Sequence, residues 1–402
     1  MAMRYRFLLL AVAVWLAAGI GHAADRVVSM AYVELDDDPR YHEKQMEARF
    51  PGQPWGRPYA GAEVALKEAR FAGSAAGVAF ELTHHREADV QAALTTVERL
   101  TGEGVNYFLL DLPGAAVAEI ARRTRGRELL LFNLSALDDG LRQSECQAQL
   151  LHVAPSYAML MDAMGQFLVA RKWREVLVLK GPNPEDAELL AAFQRSAARF
   201  GLKIEAVRPF VLGRDPRQRS QNNVALLTAG ADYDVVFVAD ATGEFARDVP
   251  YQIQKPRPVV GAAGLVPEWW HWAWERHGAP QLNGRFLKAA KRPMTGYDWS
   301  AWIGVKAVVE SVVRTGGGDF QQVRDYMLSD ALVLDGFKGH RLGFRAWDHQ
   351  LRQPVFLTTL NWVVARAPLE GFLHQTNNLD TLGFDEQDSR CRFQAPAGLK
   401  GS

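Results

Sequence analysis

Residues 105–136 read VNYFLLDLPGAAVAEIARRTRGRELLLFNLSA, and this stretch decides the fold class. Its two ends, VNYFLLDL and ELLLFNLSA, are almost continuously apolar over strand lengths. Between them PGAAVAEIARRTRG has helical spacing, begins on Pro113 and stops at Gly126. Proline in the first turn and glycine after the last is ordinary helix punctuation. A strand that is apolar on both sides is covered on both faces. Such strands alternating with helices give a parallel sheet between two helical layers.

The same alternation extends in both directions. RVVSMAYVEL (26–35) and GVAFELTHHR (77–86) read as strands, and GAEVALKEARFAG (61–73) and ADVQAALTTVERLTGEG (88–104) as helices. After residue 155 the pattern restarts. SYAMLMDAMGQFLVARKW and EDAELLAAFQRSAARFG are helices, and REVLVLKG, LKIEAVRPF, YDVVFVAD and RPVVGAAGL are strands. GYDWSAWIGVKAVVESVVRTGGG (296–318) is a long helix, QQVRDYMLSD a shorter one, and FRAWDHQLRQPVFLTTLNWVVARA (344–367) a hairpin; a tail follows from Pro368. Two successive open α/β units predict two similar lobes.

The chain opens with Arg4 and Arg6, an apolar run from Phe7 to Ile20, and Gly21-His22-Ala23. That is the pattern of a secretory signal peptide over 1–23, cleaved after Ala23. No cysteine follows the cleavage point, which argues against a lipid anchor, and no later stretch is apolar enough to span a bilayer. The mature protein is therefore expected in an exported compartment, without membrane insertion. At 402 residues the chain has room for two cores. Basic and acidic residues balance at 46 each, so no nucleic-acid or other polyanion partner is implied. Cys146 and Cys391 are the only cysteines. In an oxidising compartment they form a natural disulfide, worth about 4–5 kcal/mol in the chain-entropy model; two buried thiols are the alternative.

The order of segments resembles the type I periplasmic solute-binding proteins of the branched-chain amino acid transporter class, over nearly all of the mature chain. The resemblance rests on GAEVALKEA after the first strand, on HVAPSYAMLMDAMGQFLVARKWREVLVLKG, on GYDWSAWIGVKAVVESV as the return helix, and on FRAWDHQLRQPVFLTTLNWV as the final hairpin. It implies two Rossmann-like lobes of a Venus-flytrap, joined by a three-crossover hinge that closes on a ligand. Carried over, lobe one is 24–148 plus 292–345, lobe two 149–291 plus 346–367, and 368–402 a C-terminal tail. NNLDTLGFDEQDSRC (377–391) and LDDDPRYHEKQMEARFPGQPWGRPY (35–59) are similar to a subgroup linked to alcohol oxidation with pyrroloquinoline quinone (PQQ). What this implies is a periplasmic, monomeric substrate-binding component. Its partners would be a small-molecule ligand, an ABC transporter permease and a PQQ-dependent dehydrogenase system, with no cofactor of its own. A non-transport sensor, or an accessory protein delivering cofactor or metal to a quinone-dependent dehydrogenase, is the alternative.

Open α/β sheets bind ligands beyond the carboxyl ends of their strands. FLLDLPGA puts Asp111, Leu112 and Pro113 there, at a helix start whose free N–H groups suit an anion. Asn133 and Ser135 lie at the next strand end, as ligand contacts or as local turn chemistry. In the amino-acid binders it resembles, positions matching Leu112 and Pro113 carry hydroxyls and small residues that hold a carboxylate. Proline has no N–H to offer, which argues against an amino acid ligand. Asp240 and Thr242 end a lobe-two strand, as ligand contacts or as a cap. By resemblance, Tyr157 stands at the start of the second lobe. Tyr32, Trp55 and Tyr59 are expected at the cleft mouth as further ligand contacts.

LVPEWWHWAWERHG begins at Leu265, past a lobe-two strand. Read as a helix, it puts Trp270 and Trp274 on one stripe and Trp269 and Trp272 on another. One stripe would pack on the lobe and the other edge the cleft, unless all four indoles pack. Asp36, Asp37 and Asp38, with His42 and Glu43 nearby, raise a metal question, but the spacing is not that of an EF-hand and a solvated acidic loop fits as well. Catalytic patterns are thin. His84-His85 has no ligand partners at metal spacing, and no Gly-x-Ser-x-Gly or phosphate loop occurs, so no enzyme is expected.

Overall fold

The alternation of strands and helices resolves into two parallel sheets. The computed structural model describes residues 26–213 and 215–393; the expected signal peptide lies outside the described residues. The first sheet is built from β1 (Arg26–Leu35), α1 (Glu43–Arg49), α2 (Tyr59–Ala75), β2 (Val78–Glu87), α3 (Val90–Gly102), β3 (Tyr107–Asp111), α4 (Gly114–Arg123), β4 (Leu130–Asn133) and β5 (Leu150–His152). Its strand order is β2-β1-β3-β4-β5, parallel throughout. Side chains of β1 alternate as a strand must. Val28, Met30 and Tyr32 join one core, and Ala31, Val33 and Leu35 the other, with α3 and α4. The decisive βαβ unit is as read, except that Pro113 caps α4 instead of starting it.

The second sheet follows through α5 (Tyr157–Ala170), β6 (Glu175–Lys180), α6 (Pro184–Phe200), β7 (Lys203–Pro209), β8 (Val235–Ala239) and β9 (Val259–Gly261). Its order is β7-β6-β8-β9, again parallel. The chain continues with β10 (Val266–Glu268), α7 (Ala279–Ala290), α8 (Gly296–Arg314), α9 (Phe320–Met327), β11 (Leu334–Asp335), β12 (Arg341–Phe344), β13 (Leu351–Arg352), β14 (Val355–Thr359) and β15 (Trp362–Ala367). β14 and β15 form the expected hairpin, and β10 adds to it. The long helix α8 returns to the first sheet and lies on α2 so closely that a Cβ at Gly61 would strike the carbonyl of Asp298. These are two lobes of the kind expected.

Where the chain passes between sheets, Arg142 is buried and donates to the carbonyls of Ala136 (2.9 Å), Asp138 (2.9 Å), Ala154 (2.8 Å) and Pro155 (3.3 Å) and to Gln350 Oε1 (2.9 Å). Gln350 in turn donates to the carbonyls of His152 and Ala154, and Gln353 to that of Val153. The outgoing and returning passages are thus stitched side by side. The tail is held to them as well. Asp380 lies between Arg345 (2.8 Å) and Arg352 (2.9 Å), Gly383 N–H donates to Asp162 (2.8 Å), and Cys391 is bonded to Cys146.

Three imidazoles are buried, His152 and His349 in this framework and His271 within the tryptophan run. Burial first, then Arg142 and His349, pushes His152 well below its ordinary value, and burial pushes His349 and His271 down to about 4. The unfolded chain takes these protons near 6.5. Between about 4 and 6.5 it binds more protons than the native protein, so stability rises with pH across that window. We expect stability to be fully present above about 6.5 and to fall by on the order of 3 kcal/mol for each of His271 and His349 as pH drops to about 4. Melting curves from neutral to acid pH check this: Tm should fall, and less steeply in His349→Gln. Equal slopes in the two proteins contradict it.

Candidate functional site

The carboxyl ends of both sheets face one cavity of about 750 Å3. The turn after β1 contributes Asp38 and Arg40, that after β3 Pro113, that after β4 Ser135 and Asp138, that after β6 Asn183, that after β8 Asp240 and Thr242, and that after β9 Ala262. Trp269, Trp270, Trp272 and Tyr297 also line it. A pocket formed from the strand-end turns of two open sheets is where this architecture binds ligands.

The segment joining β1 to α2 fills the lobe-one side. Asp111, buried at the end of β3, accepts from Tyr32 Oη (3.2 Å), Tyr41 Oη (2.8 Å) and Arg40 Nη2 (3.2 Å). Burial, then the charge of Asp111, holds both phenols well above the ordinary tyrosine range. Arg40 also pairs with Asp38 (2.6 Å) and donates to Ser135 Oγ (2.7 Å). Burial alone would raise the Asp38 carboxyl; the hydrogen bonds and charge of Arg40 outweigh it and pull it below its ordinary value. The carboxylate of Asp138 occupies the space over Gly114, at the start of α4. The positive end of that helix therefore already faces an anion.

The lobe-two rim is similarly satisfied. Asp240 takes the N–H groups of Thr242 (3.1 Å), Gly243 (3.1 Å), Phe245 (2.8 Å) and Ala246 (2.9 Å) and the Thr242 hydroxyl (2.7 Å). It borders the cavity as a turn cap. Asp186 accepts from Ala241 N–H (2.6 Å) and Asn183 N–H (2.8 Å).

The tryptophan run is not the helix expected from its sequence. It begins in β10 and continues as turns to Gly278, with His277 and Gly278 at φ 56° and 83°. Three indole N–H groups find partners in three directions: Trp269 on Ser300 Oγ (2.9 Å), Trp270 on Asn283 Oδ1 (3.1 Å) and Trp274 on the Phe337 carbonyl (3.1 Å). A helix could not send them to all three. Trp274 packs away from the cavity, against Phe356. Trp269 meets Tyr297 edge to face, with centroids 5.0 Å apart.

Two charged groups on the cavity wall remain short of partners. Glu268, at the end of β10, accepts from Thr358 Oγ1 (2.9 Å). Burial pushes its carboxyl up to about 7, against the opposing pull of Thr358 and of Arg49. Arg49, the last residue of α1, donates to the Ala241 carbonyl (2.8 Å) and the Tyr297 hydroxyl (3.3 Å). It reaches from the lobe-one segment to lobe two without a carboxylate partner.

Of the residues singled out in the sequence, Asp38, Pro113, Ser135, Tyr157, Asp240, Thr242, Trp269, Trp270 and Trp272 border the cavity. Tyr32, Asp111, Leu112 and Asn133 are buried behind it, and Asn133 serves its own turn, accepting from Ala136 N–H (2.9 Å). Trp55 and Tyr59 do not line it; Tyr59 stacks on His84 at 3.8 Å. The three aspartates point to three different partners: Asp36 to Arg86, Asp37 to His42 and Asp38 to Arg40. Among the described residues no group of three acidic, histidine or cysteine side chains is arranged for a metal. Arg49, Tyr297 and Glu268 were not legible as site residues. Glu268 stands beside the tryptophans at a strand end, which was the available signal; Arg49 had none.

Residues 51–247 match the family model described as periplasmic binding protein. No curated protein matches the chain. Among solved structures, the chain is similar to a branched-chain amino acid ABC transporter periplasmic ligand-binding protein from Burkholderia xenovorans LB400. The identity is 13%, the TM-score 0.70, and the match covers 90% of this chain and 99% of that one. It is also similar to a leucine-, isoleucine-, valine-, threonine- and alanine-binding protein from Brucella ovis in its closed conformation. There the identity is 15% and the TM-score 0.69, over 92% and 99% of the two chains. A solute-binding protein of an R. palustris ABC transporter, in complex with benzoate, matches at 12% identity and TM-score 0.66 over 91% and 100%. The fold is that of the type I periplasmic binding proteins.

Asp111→Asn removes the charge that holds Arg40 and Tyr41 on lobe one. Breaking a buried pair from one side costs about 3–5 kcal/mol. We expect a lower Tm and faster proteolysis within 36–58. Digestion at the unaltered rate would show that the segment is held by other means.

Proposed function

We propose that the protein is the periplasmic substrate-binding component of an ABC importer, trapping a small organic solute between two lobes and catalysing nothing. The observation that carries this reading is the cavity itself, walled by the strand-end turns of both sheets. Solute capture by such a cleft needs hinge closure and a shaped wall, not a reactive group. Two of the similar structures named above are binding proteins of ABC transporters, which supports the same role here. The lobes are 24–148 plus 292–345 and 149–291 plus 346–367, with 368–402 as tail, amended so that Leu150–His152 stays with the sheet it extends. The leader pattern and the exported cysteine pair support a periplasmic, monomeric protein whose partner is the permease.

The finer reading links the solute to PQQ-dependent alcohol oxidation. What supports it is the similarity of 35–59 and 377–391 to that subgroup. The first of these segments is the one that fills the lobe-one rim and reaches lobe two. The indoles and phenols along the wall favour a solute with an aromatic or otherwise apolar body.

A thermal-shift screen of the mature protein tests both levels, using alcohols, their aldehydes and acids, amino acids, the quinone, and calcium or lanthanide ions. A solute that binds only the folded form adds about 2.7 kcal/mol at a hundredfold excess over its Kd. We expect a rise in Tm with one organic class. A rise with the quinone or a metal ion alone would replace import with an accessory role.

A further inference from the structure

On lobe one, Arg40 already has partners, and a carboxylate already stands at the helix start that faces the cavity. Arg40 stands on Asp111 and Ser135, and Asp138 stands over the start of α4. On lobe two, Asp240 and Asp186 hold the backbone N–H groups of the rim. Backbone donors that already have acceptors have little left for a solute.

Arg49 is the exception. Its guanidinium is half-buried in the cavity, and its two partners, a carbonyl and a phenol hydroxyl, carry no compensating charge. A desolvated arginine is costly without an anion, and its planar fork fits a carboxylate with two parallel hydrogen bonds. The other acids on the wall do not supply that anion. Glu268 feels the charge of Arg49 without reaching it as an ion pair. Glu185 and Glu188 are exposed at the mouth, where solvent and salt screen them.

We propose that Arg49 receives the carboxylate of the bound solute, so that the segment between β1 and α2 selects small carboxylic acids with an apolar or aromatic body. The inference rests on the solute-binding reading of the cleft and names the ligand's chemistry and its receptor. The solute's apolar part lies against Trp269 and Tyr297. Because Arg49 also holds the Ala241 carbonyl and the Tyr297 hydroxyl, a carboxylate on it is enclosed from both lobes at once.

The test is titration calorimetry with benzoate, phenylacetate and hexanoate, each beside its amide, and with benzylamine. We expect at least one acid to bind and its amide to bind far more weakly. Arg49→Met should weaken the acid roughly 10–100-fold, the loss expected of hydrogen bonds to a charged group, and Arg49→Lys should weaken it less. The ligand-free Arg49→Met protein should melt close to the parent, because only the bonds to the Ala241 carbonyl and the Tyr297 hydroxyl are lost. An acid that binds Arg49→Met unchanged, preference for an amide or for benzylamine, or a clear fall in the Tm of Arg49→Met would each overturn the proposal while leaving the cleft a binding site. Absence of binding by every compound here and in the broader thermal screen would overturn the solute-binding reading itself, and the inference with it.

Discussion

Asp111 ends a strand that is apolar throughout, and no water reaches its carboxylate, so its charge has to be met from within the chain. Two phenols and one guanidinium meet it. Two of those three groups, Arg40 and Tyr41, belong to the segment between β1 and α2. Satisfying one buried charge therefore fixes the position of that whole segment against the end of the first sheet. From there α1 is carried across the gap, where Arg49 meets Ala241 and Lys44 meets Glu244 (2.8 Å). The second contact is solvent-exposed and worth little, but the first is sheltered. The shape of the cavity thus depends on a carboxylate that does not line it.

The other side of the molecule is governed by the same rule applied to Arg142. A buried guanidinium needs acceptors for all its N–H groups, and here they are carbonyls of the turn after β4 and of the outgoing passage, with the Gln350 side chain of the returning one. Burial lowers the Arg142 side chain to about 10, which still leaves it charged at neutral pH. The tail lies over these passages and is bound to both lobes, to Cys146 on one and to Asp162 on the other. Any opening of the cleft has to rotate about this stitched region while Arg142 keeps its acceptors, which favours movement of the lobes as rigid bodies.

The sheets were legible because short runs apolar on both faces alternate with punctuated helices: LLFN and VVFVA are apolar at every position but the last of the former. The helices were legible by spacing and punctuation. The tryptophan run was not. Its conformation is set by partners 13, 31 and 63 residues away, and no local periodicity reports such distances. Strand-end position brought Ser135, Thr242 and Asp240 to the cavity, but position does not tell a free carboxylate from one that caps its own turn. That distinction requires the five donors around Asp240 to be seen. Arg49 lay out of reach for the same reason. Its importance comes from the carboxylate it lacks, and a missing partner leaves no mark in sequence.

Filling a binding rim from within changes what the cleft can recognise without altering the sheets beneath it. Mutating the strand ends one by one would expose backbone donors and leave buried groups unpaired at each step, at about 1–3 kcal/mol apiece. The segment between β1 and α2, which brings Arg40 and Tyr41, satisfies Asp111 and Ser135 together and adds a helix at the cavity wall. Recognition then passes from donors fixed to the sheet to side chains on that helix, where Gln45, Arg49 and Phe50 face the cavity. On the proposed reading, the two sheets supply the cleft and the segment between β1 and α2 supplies its polar wall.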